Sequence, residues 1–149
     1  MTWMQQKNYN PVKHHLFVPR NPEKYRGDIP VVLRSRLEQK FATWCDNTNS
    51  IKYWGCECIS IPYYNPVKKK VTKYYPDFVI GVETSNGYKI YIVEVKSEKE
   101  TRIPKISKRK SLLNEQQTYR VNLAKWEACI RYCDKYNYEF KIVTEKKLG

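Results

Sequence analysis

The spacing of hydrophobic positions changes along the chain and predicts first a helix, then strands, then helices and a final strand. An apolar face at helical spacing is formed by Leu37, Phe41, Trp44 and Cys45. It follows Ser35 and Glu38, which fit a capping box in which both side chains satisfy free backbone amides. The sequence therefore predicts a first helix that begins near Ser35 and ends between residues 47 and 50.

Apolar residues then recur at every second position, which is the period of a strand. This alternation runs from about Ile51 to Tyr63, and Pro62 places its end there or at the edge of a sheet. Residues 64–73 follow as a basic connection that leads into the next strand.

A hairpin is predicted over residues 73–95 because Asn86-Gly87 lies between two apolar runs. With Asn86 and Gly87 as the two turn residues, Ser85 pairs with Tyr88 and Asp77 lies opposite Lys96. Glu94 is then the diagonal neighbour of Asp77, and all three side chains share one face of the sheet.

The last third of the chain reads as two helices and a strand. A polar, basic stretch covers residues 97–110, and one helix is expected from near Ser107 to about Tyr119. Asn122 can cap a second helix, whose apolar positions are Leu123, Trp126, Ile130 and Cys133. With a final strand at residues 138–144, the fold class is α/β, a mixed sheet of about four to five strands flanked by helices.

The length of 149 residues suits one domain, 1–149, in which the proline-rich residues 1–30 form an irregular N-terminal arm. No stretch approaches the roughly 20 apolar residues of a membrane span, and Met1 to Gln6 lack the apolar region of a secretory signal. The odd number of cysteines, five, then indicates reduced thiols of an intracellular protein. A zinc site from Cys56, Cys58, Cys129 and Cys133 is the weaker reading, since neither pair has the spacing of a zinc knuckle.

The net charge is +13, from 28 Lys and Arg against 15 Asp and Glu, and it predicts a polyanionic partner, first of all DNA. Two basic clusters are the candidate phosphate contacts: Lys68, Lys69, Lys70 and Lys73, and further along Lys105, Lys108, Arg109 and Lys110.

Asp77 and Glu94 are candidate ligands of a hard divalent cation, with the backbone carbonyl of Val95 as a third. Lys96 would then orient or deprotonate the attacking water, or neutralise developing charge. The alternative is a cross-strand ion pair of Asp77 with Lys96, which contributes only about 0–1 kcal/mol. The apolar neighbours Val79, Ile80, Ile92 and Val93 favour the functional reading, because acids among such residues cost stability.

These motifs resemble the PD-(D/E)xK signature of the restriction-endonuclease-like nuclease superfamily, in Pro76-Asp77 followed by Glu94-Val95-Lys96. The resemblance extends over nearly the whole chain to the head completion nucleases of T4-like tailed phages. It is carried by residues 18–27, Arg34-Ser35 with Glu38, Tyr53-Trp54-Gly55 with Glu57, Ile61-Pro62-Tyr63, Val121-Asn122 with Lys125-Trp126, and residues 140–145. A more distant likeness is to the TnsA-type transposon endonucleases.

The resemblance implies a restriction-endonuclease-like core and a Mg²⁺- or Mn²⁺-dependent DNA nuclease. It implies Asp77 and Glu94 as metal ligands, Lys96 as the catalytic lysine and Glu38 as the residue that completes the acidic cluster. The enzyme would trim or cut packaged DNA before the head joins a tail, in the host cytoplasm or in the virion, beside head, portal or neck proteins. The competing readings are a non-catalytic DNA-binding head–tail connector and a TnsA-like or junction-resolving endonuclease.

Overall fold

The computed structural model of the chain describes residues 15–104 and 110–148, with only the backbone of residues 110–112. The elements are β1 (His15–Phe17), a 3₁₀ turn (Pro22–Lys24), β2 (Val31–Leu33), α1 (Arg36–Asn47), β3 (Ile51–Cys56), β4 (Ile61–Asn65), β5 (Lys70–Tyr74), β6 (Phe78–Thr84), β7 (Gly87–Val95), a 3₁₀ turn (Glu98–Thr101), α2 (Lys110–Tyr136), β8 (Glu139–Val143) and α3 (Glu145–Leu148). Within these residues, no helix is long and apolar enough to cross a membrane.

The central sheet has the strand order β3-β6-β7-β8, which confirms the predicted mixed sheet with helices packed on it. Neighbouring strands run antiparallel except for β7 and β8, which are parallel. Side chains of α1, such as Phe41 and Cys45, pack with Phe78 and Val93 on one face. Cys129 of α2 packs with Ile92 on the other face, together with the separate two-stranded sheet β4–β5.

The described part of the proline-rich N-terminal segment packs against the core. Tyr25 lies edge-on to Trp54, with 4.7 Å between ring centroids. The Nζ of Lys24 donates hydrogen bonds to three carbonyls at the end of α1, at 2.7, 2.9 and 3.0 Å. Residues 1–14, which include His14, lie outside the described residues.

The first helix begins as predicted, with Ser35 as its N-cap. Phe41 and Cys45 are buried, but Trp44 is 48% exposed, so its assignment to the core face was wrong. Trp44 lies at the margin of the apolar stripe, where its ring touches Phe41 without being covered.

The hairpin forms where expected, with a different register. Thr84 pairs with Gly87, so Ser85 and Asn86 are the two residues of the turn. Gly87 has a positive φ of 118° and Asn86 does not, which is not the two-residue turn that Asn-Gly predicts. Every pair is displaced by two residues, and Asp77 therefore lies level with Glu94 and not with Lys96. A displacement of two keeps both acids on one face.

The single strand predicted over residues 51–63 is two strands in different sheets. β3 ends at Cys56 because Glu57 has a positive φ of 50° and its N–H donates to the Asp77 carbonyl, at 3.1 Å. The basic connection of residues 64–73 is also more ordered than expected. β4 and β5 form a hairpin here, with residues 66–69 as its turn.

Two predicted helices, with a break before Asn122, are one continuous helix of 27 residues, α2. Asn122 lies inside it and is buried. No glycine or proline occurs between residues 110 and 136, so nothing in the sequence interrupts the helix. The predicted start at Ser107 lies outside the described residues. The final strand is confirmed as β8.

Candidate active site

Asp77 and Glu94 lie side by side where β6 begins and β7 ends. The Oδ2 atom of Asp77 accepts a hydrogen bond from the N–H of Val95, at 2.8 Å, which fixes its carboxylate against β7. Glu94 is only 4% exposed, and Asp77 is partly exposed. The site thus has one buried acid and one acid that opens toward solvent.

Burial raises the pKa of Asp77 to about 7, with the charge of Glu38 as the second cause. Burial likewise raises the pKa of Glu94 to about 7, although the charges of Lys96 and Lys125 oppose this. Both acids therefore lie in a region that the protein's own cations do not fully compensate. An added cation would be strongly attracted to it.

Tyr74, the last residue of β5, donates a hydrogen bond from its hydroxyl to Oε2 of Glu94. Tyr74 is buried, so this bond is shielded from water and holds the Glu94 carboxylate in place. Sequence reasoning missed this role because it placed Tyr74 on the same strand as Asp77. One feature of the sequence pointed to this role, because Tyr74 lies between a lysine-rich segment and the Pro76-Asp77 motif.

Replacing Tyr74 by Phe should weaken metal binding about 10–100-fold, as expected when a ligand loses the group that orients it. The measurement is the metal concentration at half-maximal cleavage, together with calorimetric titration of Mn²⁺. Tyr63→Phe is the matched control, because Tyr63 contacts the Tyr74 ring from β4, with 6.4 Å between centroids. Equal metal affinities in Tyr74→Phe and wild type would contradict this role.

Glu38 lies in the first turn of α1 and also borders the site. Its N–H donates to Oγ of Ser35, at 3.1 Å, as in a capping box. Its Oε2 accepts the N–H of Arg34, at 2.7 Å, and not that of Ser35. Burial raises the pKa of Glu38, and nearby Glu57 raises it further. The Glu38 side chain therefore holds the backbone just before the helix and also lies next to the site acids.

Glu57, one of the residues that carry the resemblance, is partly exposed and forms an ion pair with Arg34, at 2.8 Å. Sequence reasoning assigned no role to Arg34 itself, although Arg34-Ser35 is one of the motifs that carry the resemblance. Arg34 places a guanidinium beside the acids. Its pKa is raised first by the hydrogen bond to Glu57 and further by the charges of Glu57, Glu38 and Asp77, while burial acts in the opposite direction.

Lys96 directly follows β7, and its N–H donates to the carbonyl of Val143 in β8, at 3.0 Å. Its Nζ lies 3.9 Å from Oε2 of Glu100, and none of the ion pairs among the described residues joins it to Asp77. The simple ion pair of Asp77 with Lys96 is therefore not formed. The Lys96 charge still acts on both Asp77 and Glu94.

Lys125 is a second cation that sequence reasoning assigned no role. Its Nζ lies over the rings of Tyr63 and Tyr74, at 5.9 and 5.6 Å from their centroids. Burial lowers its pKa, and the charges of Glu94 and Asp77 act against this. The available signal was the Lys125-Trp126 pair, which is one of the motifs that carry the resemblance.

The donor atoms of Asp77 and Glu94 fit a hard divalent cation, which prefers carboxylate oxygens. Within the described ranges, no three His, Cys, Asp or Glu side chains form a ready-made metal cage. Asp77, Glu94, Glu38 and the Val95 carbonyl therefore all stay predictions as metal ligands. The cysteines give no support to zinc, since Cys56 and Cys129 belong to core clusters on opposite faces of the sheet.

The first basic cluster lies on β5 and the turn before it: Lys68, Lys69, Lys70 and Lys73 are all exposed. Lys105, Lys108 and Arg109 of the second cluster lie outside the described residues, as does the side chain of Lys110. Their contact with DNA stays a prediction.

Without metal, stability should fall as the pH rises from about 4 to about 7. An unfolded chain loses these carboxyl protons near pH 4, whereas folded Asp77 and Glu94 keep them to about pH 7. In that window the folded state binds more protons, so a rise in pH favours unfolding until the effect levels off above pH 7.

Thermal unfolding midpoints between pH 4 and 8 would measure this effect. Mn²⁺ at about 100 times its Kd should add about 2.7 kcal/mol at pH 8. Asp77→Asn should flatten the pH profile and abolish the metal effect. An unchanged profile in Asp77→Asn would show that the acid pair does not carry the effect.

Comparison with known proteins identifies the family of this chain. Residues 48–145, which include Asp77, Glu94 and Lys96, match the family model of the TnsA-like endonuclease N-terminal domain. The chain is also 35% identical to the head completion nuclease of Enterobacteria phage T4 over 139 residues, which is 89% of this chain and 91% of that protein. The chain therefore belongs to the TnsA-like endonuclease N-terminal family, consistent with a restriction-endonuclease-like core, and is a relative of the T4 head completion nuclease.

Proposed function

We propose that the chain is a metal-dependent nuclease that hydrolyses phosphodiester bonds of double-stranded DNA, with residues 1–149 as a single nuclease domain. The observation that carries the proposal is the pair of Asp77 and Glu94, level with each other on one face of the sheet and next to Lys96. Paired carboxylates with a neighbouring lysine suit phosphodiester hydrolysis, which needs a cation site and a proton carrier.

Asp77 and Glu94 would hold Mg²⁺ or Mn²⁺, with the Val95 carbonyl and Glu38 completing the oxygen ligands. When bound, the cation supplies Lewis acidity at the scissile phosphate and makes water more acidic. The raised pKa values of both acids support this assignment, because burial disfavours the ionised carboxylates and a bound cation would stabilise them.

The remaining steps belong to side chains of this chain. The Val95 N–H orients the Asp77 carboxylate and the Tyr74 hydroxyl orients that of Glu94, so both acids are positioned before substrate arrives. Nζ of Lys96 orients the attacking water, takes its proton or neutralises the charge that develops on the phosphate. Exposed lysines of β5 and its turn hold the phosphates of the flanking DNA.

In its biological role the protein would cut or trim packaged DNA before the head joins the tail, as the name of its T4 relative suggests. It would act in the host cytoplasm during assembly or in the virion, and head, portal or neck proteins would be its partners. The match to the TnsA-like family favours one alternative substrate, a transposon end or a branched junction, cut by the same chemistry. The charge of +13 is equally compatible with a connector that binds DNA and does not cut it.

The decisive assay is nicking of supercoiled plasmid in Mg²⁺, in Mn²⁺ and with metal chelated. Linear duplex labelled at its ends separates exonuclease from endonuclease action, and a four-way junction tests the branched alternative. Metal-dependent nicking is the expected result. Tight binding to every DNA form with no cleavage in either metal would favour the connector.

A further inference from the structure

The two-stranded sheet of β4 and β5, here called the ribbon (residues 61–74), has two different faces. Ile61, Tyr63 and Tyr74 are buried on one face, in the core cluster that contains Cys129 of α2. The pairs Pro62–Lys73 and Tyr64–Val71 form the other face. There Tyr64 is 56% exposed and Val71 is 68% exposed, so this pair forms a small apolar patch that is open to solvent.

The tip of the ribbon is rigid and basic. Oδ1 of buried Asn65 accepts hydrogen bonds from the N–H groups of Val67 and Lys68, at 2.9 and 3.0 Å. Lys69 has a positive φ of 55°, and its N–H donates to the Asn65 carbonyl, at 2.8 Å. Residues 61–74 contain no Asp or Glu, so the tip lysines are not neutralised from within the ribbon.

The base of the ribbon is part of the candidate active site. Tyr74 donates to Glu94, and the Lys125 ammonium lies over Tyr63 and Tyr74. Lys68 at the tip is near enough for its charge to lower the pKa of Lys125 further. A strand rises about 3.3 Å per residue, so the tip extends roughly 13 Å from Tyr74. That length corresponds to about four base pairs of DNA.

We propose that the ribbon enters the major groove of the DNA duplex beside the bond that is cut. A two-stranded ribbon fits this groove, which is about 12 Å wide. Tyr64 and Val71 would contact the edges of the bases, where apolar groups meet thymine methyls, and Lys68, Lys69, Lys70 and Lys73 would contact the phosphates on either side. The inference rests on the proposed function in one respect, that the substrate is duplex DNA.

Binding is measured first with metal chelated, so that cleavage plays no part. Tyr64→Thr with Val71→Thr removes the apolar face and keeps residues that favour strands. We expect about tenfold weaker binding to duplex with little change in salt dependence. Tyr88→Thr, at an exposed tyrosine of the other hairpin, is the matched control and should bind like wild type.

Removing the lysine charges at the tip of the ribbon should change the salt dependence of DNA binding. The variant combines Lys68→Gln, Lys69→Asn and Lys70→Gln. Asn is chosen at position 69 because it tolerates the positive φ there. The slope of log K against log salt should become shallower by about 0.9 per lost phosphate contact, or roughly 2.7 in total. The control removes three lysines that are paired with acids, in Lys52→Gln, Lys89→Gln and Lys141→Gln. Its slope should change far less.

Methylation interference and competition with a minor-groove ligand identify the groove of the DNA that the ribbon enters. Methylation of guanine N7, in the major groove, should block binding to a short duplex with metal chelated, and a minor-groove ligand should not compete. The inference would be overturned if the minor-groove ligand competed, or if both ribbon variants bound DNA like wild type. Metal-dependent cutting would still support the proposed function in either case. Ribbon variants that bind DNA normally but lose an acidic head or neck protein would also overturn it. A wild type that never cuts would instead refute the proposed function, and interference would still test the ribbon.

Discussion

Asp77→Asn is expected to reduce the cleavage rate by at least about 10³-fold while DNA binding without metal is retained. The amide oxygen of Asn can still accept the Val95 N–H, so the local fold is preserved. What is lost is the negative charge that holds the cation and, with it, the stabilisation of the transition state. A factor of 10³ corresponds to about 4 kcal/mol of that stabilisation.

The measurement is the single-turnover rate of plasmid nicking at saturating Mg²⁺ and Mn²⁺, with binding measured separately in chelator. Glu83→Gln is the matched control, because Glu83 is an exposed acid at the opposite end of β6 and pairs with Lys52. Cleavage by Asp77→Asn within about threefold of wild type would remove Asp77 from the chemistry.

Lys96→Met is expected to lower the cleavage rate by about 10²–10⁴-fold, the usual contribution of a positioned proton carrier. Met keeps the length and apolar stem of lysine, and the backbone bond from Lys96 to Val143 is unaffected. DNA affinity should fall by no more than the loss of one phosphate contact would cause, because the lysines of the ribbon are unchanged. A connector protein would show no comparable loss of function.

Lys96→Arg separates two roles of the lysine. An arginine keeps the positive charge but does not release a proton at neutral pH. Activity near wild type in Lys96→Arg would mean that Lys96 neutralises charge, and activity as low as in Lys96→Met would mean that it moves a proton. Lys89→Met, at the far end of β7 and paired with Glu139, is the control. Unchanged cleavage in Lys96→Met would refute both roles.

The sequence predicted the class of fold and the position of the acid pair, because both depend on short-range patterns. Alternation and helical spacing are local, and the hairpin between Asp77 and Glu94 is closed by a turn of two residues. The wrong register left the site intact only because the displacement was by an even number of residues. A displacement by one would have put Asp77 on the opposite face.

Other features depended on contacts that no local pattern contains. The odd-numbered apolar positions continue from Ile51 to Ile61 without a change of phase, and they hid the end of β3 at Glu57. Glu57 is held in its positive φ by a hydrogen bond to Asp77, twenty residues later in the chain. Tyr74 and Lys125 became site residues for the same reason, since β5 and α2 meet Glu94 only in three dimensions.

The parallel pairing of β7 with β8 also determines when the site can form during synthesis of the chain. Glu94 pairs with Ile142, and the N–H of Lys96 donates a hydrogen bond to the carbonyl of Val143. β7, which carries Glu94 and directly precedes Lys96, is therefore covered only after residues 139–143 have been made. A nascent or prematurely terminated chain would expose β7 as an open edge, which favours aggregation over folding. Ribosome-bound fragments would therefore lack a formed candidate site, and DNA around them would not be cut until translation has passed this strand.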